Sequence, residues 1–274
     1  MSTFGSMQRI EPKLIVIKIG GSVLNELTDQ FYQEMIEMIA DGWFPVIVHG
    51  GGPSITKMLE RLGIQSSFVN GLRITDQETL QVVEMVLNGK ENKEIVRRIQ
   101  ALGGKAVGLS GIDYGMIQAE RLDPSLGYVG KVKSVSFPLL PFFQREKVIP
   151  VISPLGIDLQ GQIYNINADM VAQAFAVYLQ AKKLIMVSDT PGIFRTEEGK
   201  KKIIHQLSPK NIEHLIAKGE IVKGMIPKVQ AAMECLEKGI DDIYVVDGRQ
   251  DGVLAKVLDE DEIGTRICKQ EVVL

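Results

Sequence analysis

The sequence predicts an α/β protein built on a mostly parallel sheet with helices on both faces. Three observations carry this reading. Short apolar, β-prone runs alternate with stretches whose apolar residues recur at helical spacing, the order expected of strand–helix–strand units. Two of the runs end in glycine-rich turns, Leu14-Ile15-Val16-Ile17-Lys18-Ile19-Gly20-Gly21-Ser22 and Pro45-Val46-Ile47-Val48-His49-Gly50-Gly51-Gly52-Pro53. A helix pattern follows each, so both turns fall at carboxyl ends of strands, where open α/β sheets gather their ligands.

In chain order, residues 14–19 read as a buried strand, and Phe31, Met35, Met38 and Ile39 as one helix face. Residues 45–48 are the next strand. Ile55, Met58, Leu59 and Leu62 mark a helix that Gly63 stops. Thr75 with Glu78 has capping-box spacing and leads into Leu80, Val83 and Leu87. Ile95, Ile99 and Leu102 form a further helix ended by Gly103-Gly104. Ala106–Leu109 and Val148–Ile152 read as buried strands, and residues 157–166 as a hairpin around Gln160-Gly161. Residues 168–180 read as a helix and 184–187 as a strand. Pro209 takes a first helical position after Ser208. A helix over 228–238 and a strand over Ile243–Val246 complete the pattern. A fresh strand–turn unit begins after Gln180–Lys182, which sets a soft boundary there.

Composition narrows the function classes. The 274 residues are 45% hydrophobic and 24% charged, the balance of a soluble globular protein with a sizeable core. A net charge of −3 supplies no global basic field for nucleic acid. No apolar run approaches the roughly 20 residues of a membrane span. Cys235 and Cys268 are too few for a disulfide framework or a zinc site, so a cytoplasmic location is expected. Residues 1–13 read as a polar tail of the kind an expression vector contributes, without the apolar centre of a secretory signal.

The glycine turns suit an anion, because glycine allows close backbone approach and a helix start offers unpaired N–H groups. Neither has P-loop or dinucleotide spacing. Lys18 interrupts an apolar strand. It is either an edge lysine whose stem covers apolar surface or an ammonium delivered beside Gly20 and Gly21. Asn167 is a natural helix cap, whereas Asp169 falls inside the first turn, where it favours the helix dipole or holds lysines. Lys228 sits at a helix start that does not favour a cation. Ser188-Asp189-Thr190-Pro191-Gly192-Ile193-Phe194 follows a buried strand as a polar turn or a nucleotide loop. His49 is read as a structural hydrogen-bonding residue in preference to a catalytic base.

Six segments then stand in one order: Lys18-Ile19-Gly20-Gly21, His49-Gly50-Gly51-Gly52-Pro53, Asn70-Gly71-Leu72-Arg73, Asn165-Ile166-Asn167-Ala168-Asp169, Ser188-Asp189-Thr190-Pro191-Gly192 and Gly224-Met225-Ile226-Pro227-Lys228-Val229. In this the chain, from about Lys13 to Arg266, resembles the amino acid kinase family. The resemblance implies an open αβα sandwich with a central, mostly parallel sheet. It implies an amino-acid-binding and dimerising lobe over 14–181 and an ATP-binding lobe over 182–274.

The implied reaction moves the γ-phosphoryl group of ATP onto the side-chain carboxylate of N-acetyl-L-glutamate, giving an acyl phosphate on the route to arginine or ornithine. By the same resemblance Lys18 and Lys228 stabilise the transition state and Asp169 orients them. Gly20, Gly21 and Gly50 approach the phosphoryl oxygens. Gly51, Gly52, Arg73 and Asn165 hold the amino acid, with Arg73 on its α-carboxylate. Asp189, Thr190, Pro191, Gly192, Ile193, Phe194, Glu220, Ile221 and Val222 border the nucleotide. Mg2+ is expected to be held through ATP and water, with no protein metal ligand named.

The implied assembly is a homodimer. Arginine-inhibited members carry a longer amino-terminal helix, whereas 17 residues precede Lys18 here and Pro12 interrupts them, so strong arginine inhibition is not expected. Tyr114 stands where relatives usually have glycine. The rival readings are a family member acting on glutamate or an aminoadipate-type acid, and a non-catalytic amino-acid or nucleotide sensor.

Overall fold

The computed structural model describes residues 12–197, 200–221 and 226–270. The first part of the chain runs β1 (Lys13–Ile19), α1 (Asp29–Ala40), β2 (Trp43–His49), α2 (Gly52–Leu62), β3 (Phe68–Val69), β4 (Leu72–Arg73) and α3 (Gln77–Glu84). A π-helical stretch, Met85–Glu91, joins α3 without a break to α4 (Asn92–Ala101). Next come β5 (Ala106–Ser110), β6 (Ile117–Arg121), β7 (Val129–Val135), α5 (Leu140–Glu146), β8 (Ile149–Ser153), β9 (Leu155–Ile157), β10 (Ile163–Ile166) and α6 (Ala168–Leu179). The remainder is β11 (Lys183–Ser188), β12 (Phe194–Glu197), β13 (Lys200–Ile203), β14 (Gln206–Leu207), α7 (Pro209–Ala217), α8 (Ile226–Glu237), β15 (Asp242–Asp247), α9 (Val253–Leu258) and β16 (Thr265–Cys268).

Eight strands form the central sheet in the order β14-β16-β15-β11-β1-β2-β8-β5, parallel throughout except between β15 and β16. The period-2 alternation of β1 divides the core. Ile15, Ile17 and Ile19 pack with α1, α4 and α9, whereas Val16 packs with α6, α7 and α8. Both faces are therefore covered, as a parallel sheet requires. Lys18 shares the parity of Val16 and so belongs to the α6 face. On one side of β1 the chain continues through β2, and on the other through β11 and β15. The crevice at the carboxyl ends of β1 and β11 is thus a topological switch point.

The hairpin expected over 157–166 is present, with Ile163 paired to Ile157. It belongs to a small closed barrel, β10-β7-β6-β9, that the apolar periodicity of residues 117–135 did not reveal. Another expectation is corrected at the start of α3. Asp76, not Thr75, is the N-cap, and its carboxylate accepts the Thr79 N–H at 2.8 Å. Thr75 is buried, and its hydroxyl is drawn instead to the Arg73 carbonyl at 2.8 Å. The two helices expected over 80–102 are one continuous helical run, because the π-helical stretch absorbs the change of face between them.

Tyr114 lies at φ 56° and is 74% exposed, a left-handed backbone that glycine adopts most readily. Among the described residues no helix is long and apolar enough to cross a membrane.

Candidate active site

At the exit of β1 the Lys18 ammonium stands 2.7 Å from Asp169 Oδ1, with side-chain exposures of 15% and 27%. Strand parity aims Lys18 at α6, and Asn167 caps that helix by accepting the Asp169 N–H at 2.7 Å, which places Asp169 in its first turn. The Asp169 Oδ1 atom is shielded from solvent and accepts no aligned hydrogen bond among the described residues, so the contact with Lys18 is an ion pair. These two residues line a cavity with Asn167, Ser188 and the apolar side chains of Met186 and Val245. Ala231 and Ala232 of α8 close its far wall. Lys228 occupies the position one helical turn before them, and its side chain lies outside the described residues.

The second glycine turn packs directly on the first. A Cβ on Gly21 would lie 2.6 Å from Gly51 N and 2.8 Å from Gly52 N, so only glycine fits at that contact. The N–H groups of Gly20 and Gly50 are committed to Val187 O (2.9 Å) and Ile19 O (2.8 Å). Neither N–H of Gly20 or Gly50, two of the glycines expected to approach the phosphoryl oxygens, is therefore free to donate to them. Gly21, Gly51 and Gly52 have N–H groups with no acceptor among the described residues. Gly52 also begins α2, whose dipole favours negative charge at that end.

Beyond this turn lies a second cavity, lined by Gly50, Gly51, Gly52, Arg73, Asn165 and Asn167 among others. Arg73 is 6% exposed as a residue, and its guanidinium donates to Gly52 O (3.0 Å), Thr56 Oγ1 (2.7 Å) and Ser66 Oγ and stacks over Phe68 at 4.5 Å. No carboxylate pairs with it among the described residues. Burial lowers its proton affinity from the ordinary arginine value without a counter-ion to restore it. Asn165 donates to Thr75 Oγ1 at 3.1 Å, and Thr75 in turn holds the Arg73 carbonyl. Asn167 lines both cavities, so they adjoin at the cap of α6.

On the β11 side the predicted nucleotide residues divide. Asp189, Thr190 and Pro191 form the turn after β11, with Ser188 Oγ 2.9 Å from Thr190 Oγ1. Gly192 is required by packing, since a Cβ there would lie 2.7 Å from Thr265 Oγ1. Phe194 opens the β12–β13 hairpin. Ile193 and Ile221, expected to border the nucleotide, have side chains buried in the core, and the Ile193 N–H is bound to Thr265 Oγ1 at 2.7 Å. Glu220 follows α7 with its N–H bonded to Leu215 O, and Val222 lies outside the described residues.

One organiser of this region escaped the sequence reading. Arg249 donates to Asp189 O (2.9 Å), Glu26 Oε2 (3.1 Å) and the Asp247 carboxylate (2.8 and 2.9 Å). It thereby ties the turns after β1, β11 and β15 together. Nothing local to Arg249 signals contacts so distant in sequence.

A family model described as the amino acid kinase family matches residues 13–247. The chain belongs to the amino acid kinase family. Among its relatives, the acetylglutamate kinase of Geobacillus kaustophilus is 48% identical over 238 residues, covering 86% of this chain and 91% of that protein. The acetylglutamate kinase of Syntrophomonas wolfei is 43% identical over 261 residues, covering 93% and 91%. A crystal structure from Streptococcus mutans UA159 matches with a TM-score of 0.81 at 29% identity, covering 94% of this chain and 99% of that one. The family's fold is thus the α/β sandwich described above.

Proposed function

We propose that the protein transfers the γ-phosphoryl group of ATP to the side-chain carboxylate of N-acetyl-L-glutamate, a step of arginine biosynthesis. The observation that carries this reading is the pair of adjoining cavities. One presents a buried guanidinium without a carboxylate partner among the described residues, and the other an ammonium aimed by a carboxylate. A buried charge left unpaired is costly, so Arg73 is suited to an anionic ligand, and its planar fork matches a carboxylate. The acetylglutamate kinase relatives supply the substrate's identity.

The acceptor carboxylate is already ionised at neutral pH and needs no general base. Catalysis rests on alignment and on neutralising charge as the phosphoryl group moves. Lys18 and Lys228 supply that charge, and Asp169 holds the cations in place. Two unit charges about 4 Å apart interact by roughly 4 kcal/mol at an effective dielectric of ~20. The free N–H groups of Gly21, Gly51 and Gly52 face the migrating group. Arg73 and Asn165 hold the amino acid, and the turn Asp189–Pro191 borders the nucleotide.

A Mg2+ ion is carried on the ATP phosphates and water. Residues 14–181 then form the amino-acid lobe and 182–274 the nucleotide lobe of a cytoplasmic homodimer. The test is direct trapping of the acyl phosphate as a hydroxamate. N-acetyl-L-glutamate gives product, and free glutamate and aminoadipate derivatives give little. Equal product from the controls overturns the substrate assignment.

A further inference from the structure

His49 is wholly buried beneath the second glycine turn, and its surroundings settle where its proton sits. Its Nδ1 atom is 3.0 Å from Gly50 O. A carbonyl only accepts, so Nδ1 carries the hydrogen. Its Nε2 atom is 3.2 Å from Asn92 Nδ2 and so receives the amide hydrogen. The Asn92 amide is oriented in turn. Its nitrogen faces the Val151 and Leu109 carbonyls at 2.9 and 3.3 Å, and its oxygen accepts from Lys93 Nζ at 3.0 Å. Lys93 also reaches Gly108 O at 3.2 Å. Each atom of this chain has one consistent role, donor or acceptor.

The end of the chain is the Gly50–Gly51 peptide. A trans peptide points its C=O and N–H in opposite directions. With Gly50 O bound to the imidazole, the Gly51 N–H is turned away from the ring, and Gly51 N packs closely on Gly21 of the first turn. Glycines on both sides of the peptide leave it free to rotate. A rotation would withdraw the N–H and put a carbonyl oxygen in its place, opposing an anion.

We propose that His49, oriented by Asn92, is a positioning residue that locks the Gly50–Gly51 peptide with its N–H facing the migrating phosphoryl group. The inference rests on the phosphotransfer reading above. Burial pushes the imidazole down to about 4, so the ring is neutral at physiological pH, and both of its nitrogens are already engaged. It therefore acts by orientation and does not transfer a proton.

The experiment has two arms on the full-length protein. Nitrogen-15 NMR of the three histidines, with His49→Asn as the assignment control, reads the ring directly; a neutral Nδ1–H tautomer across pH 6–8 is expected. A charged ring or an Nε2–H tautomer overturns the proposal whatever the variants do. In kinetics, His49→Ala lowers kcat by about tenfold or more, as loss of an oriented donor does, while the KM for ATP stays near wild type. His49→Asn places an amide N–H at the level of Nδ1 and recovers most of kcat, whereas His49→Gln places it further out and does not. Near-wild-type turnover of His49→Ala, or equal turnover of the Asn and Gln variants, overturns the proposal. Wild-type protein that yields no hydroxamate from N-acetyl-L-glutamate overturns the functional reading instead, and the tautomer measurement stands independently of it.

Discussion

The two glycine turns lie side by side, yet they are held by different means and carry different cations. The turn after β1 is fixed through the main chain, by Gly20 N–H on Val187 O, and its cation is aimed by a carboxylate, Lys18 on Asp169. The turn after β2 has a matching main-chain bond, Gly50 N–H on Ile19 O, and adds side-chain anchors, His49 and Asn92, while Arg73 beside it is held by hydroxyl and carbonyl oxygens and the Phe68 ring, with no carboxylate partner among the described residues. The difference separates two tasks. A cation with a carboxylate partner is positioned and partly neutralised, which suits charge that develops only during the reaction. A buried cation without one keeps its full attraction for an anion already present on the substrate.

The strongest way to break this comparison is Lys18→Ala. Turnover is expected to fall by roughly 100-fold or more, the loss typical of one transition-state donor; steady-state kinetics with near-normal kcat removes Lys18 from the chemistry. Arg73→Ala comes next. It raises the KM for the amino acid by about 10- to 100-fold, as loss of charge-assisted hydrogen bonds does, and a change confined to the KM for ATP would place Arg73 in the wrong cavity. Asp169→Asn follows, with kcat lower by about tenfold, equivalent to ~1.4 kcal/mol. Circular dichroism should show the fold intact; an unfolded variant would make Asp169 a structural residue of α6.

The side-chain-held turn makes a prediction in pH. His49 is depressed from 6.5 to about 4 by burial, so its contribution to stability is complete above about pH 6.5 and is lost as the pH falls toward 4. Between pH 7 and 5.5 this amounts to about 1 kcal/mol, which urea unfolding of wild type against His49→Asn resolves. Equal acid sensitivity of the two would mean that the ring is not held neutral. The smallest effect belongs to an exposed ion pair, Lys182 with Asp241 at 3.1 Å. Lys182→Ala should change unfolding stability by less than about 0.5 kcal/mol. A larger loss would show that exposed pairs in this fold behave like the sheltered Lys18–Asp169 pair.

Much of the site was legible because its signals are local. The parity of Lys18 in β1, the capping role of Asn167 and the glycine turns after apolar strands all follow from spacing within one element. The structural reading of His49 agrees with its burial and two hydrogen bonds. Other features were hidden for equally physical reasons. Thr75 and Asp76 compete for one cap, and the choice turns on a carbonyl, that of Arg73, which tertiary packing brings into reach. The barrel strand β7, Val-Gly-Lys-Val-Lys-Ser-Val, is too polar to announce itself. Ile193 and Ile221 lie in motifs that read as ligand loops, but their apolar side chains are drawn into the core.

Periodicity and turn chemistry, read along the chain, sufficed for the order of strands and helices, the covered parallel sheet and the placement of glycine turns at strand ends. These depend on interactions within a few residues, which local composition encodes. Which distant groups meet was decided only in three dimensions. The pairing of Lys18 with Asp169, the isolation of Arg73 from any described acid and the threading of His49 through Asn92 to two further strands, β5 and β8, arise because packing of the whole sheet brings separate segments together. Sequence spacing carries no record of that juxtaposition.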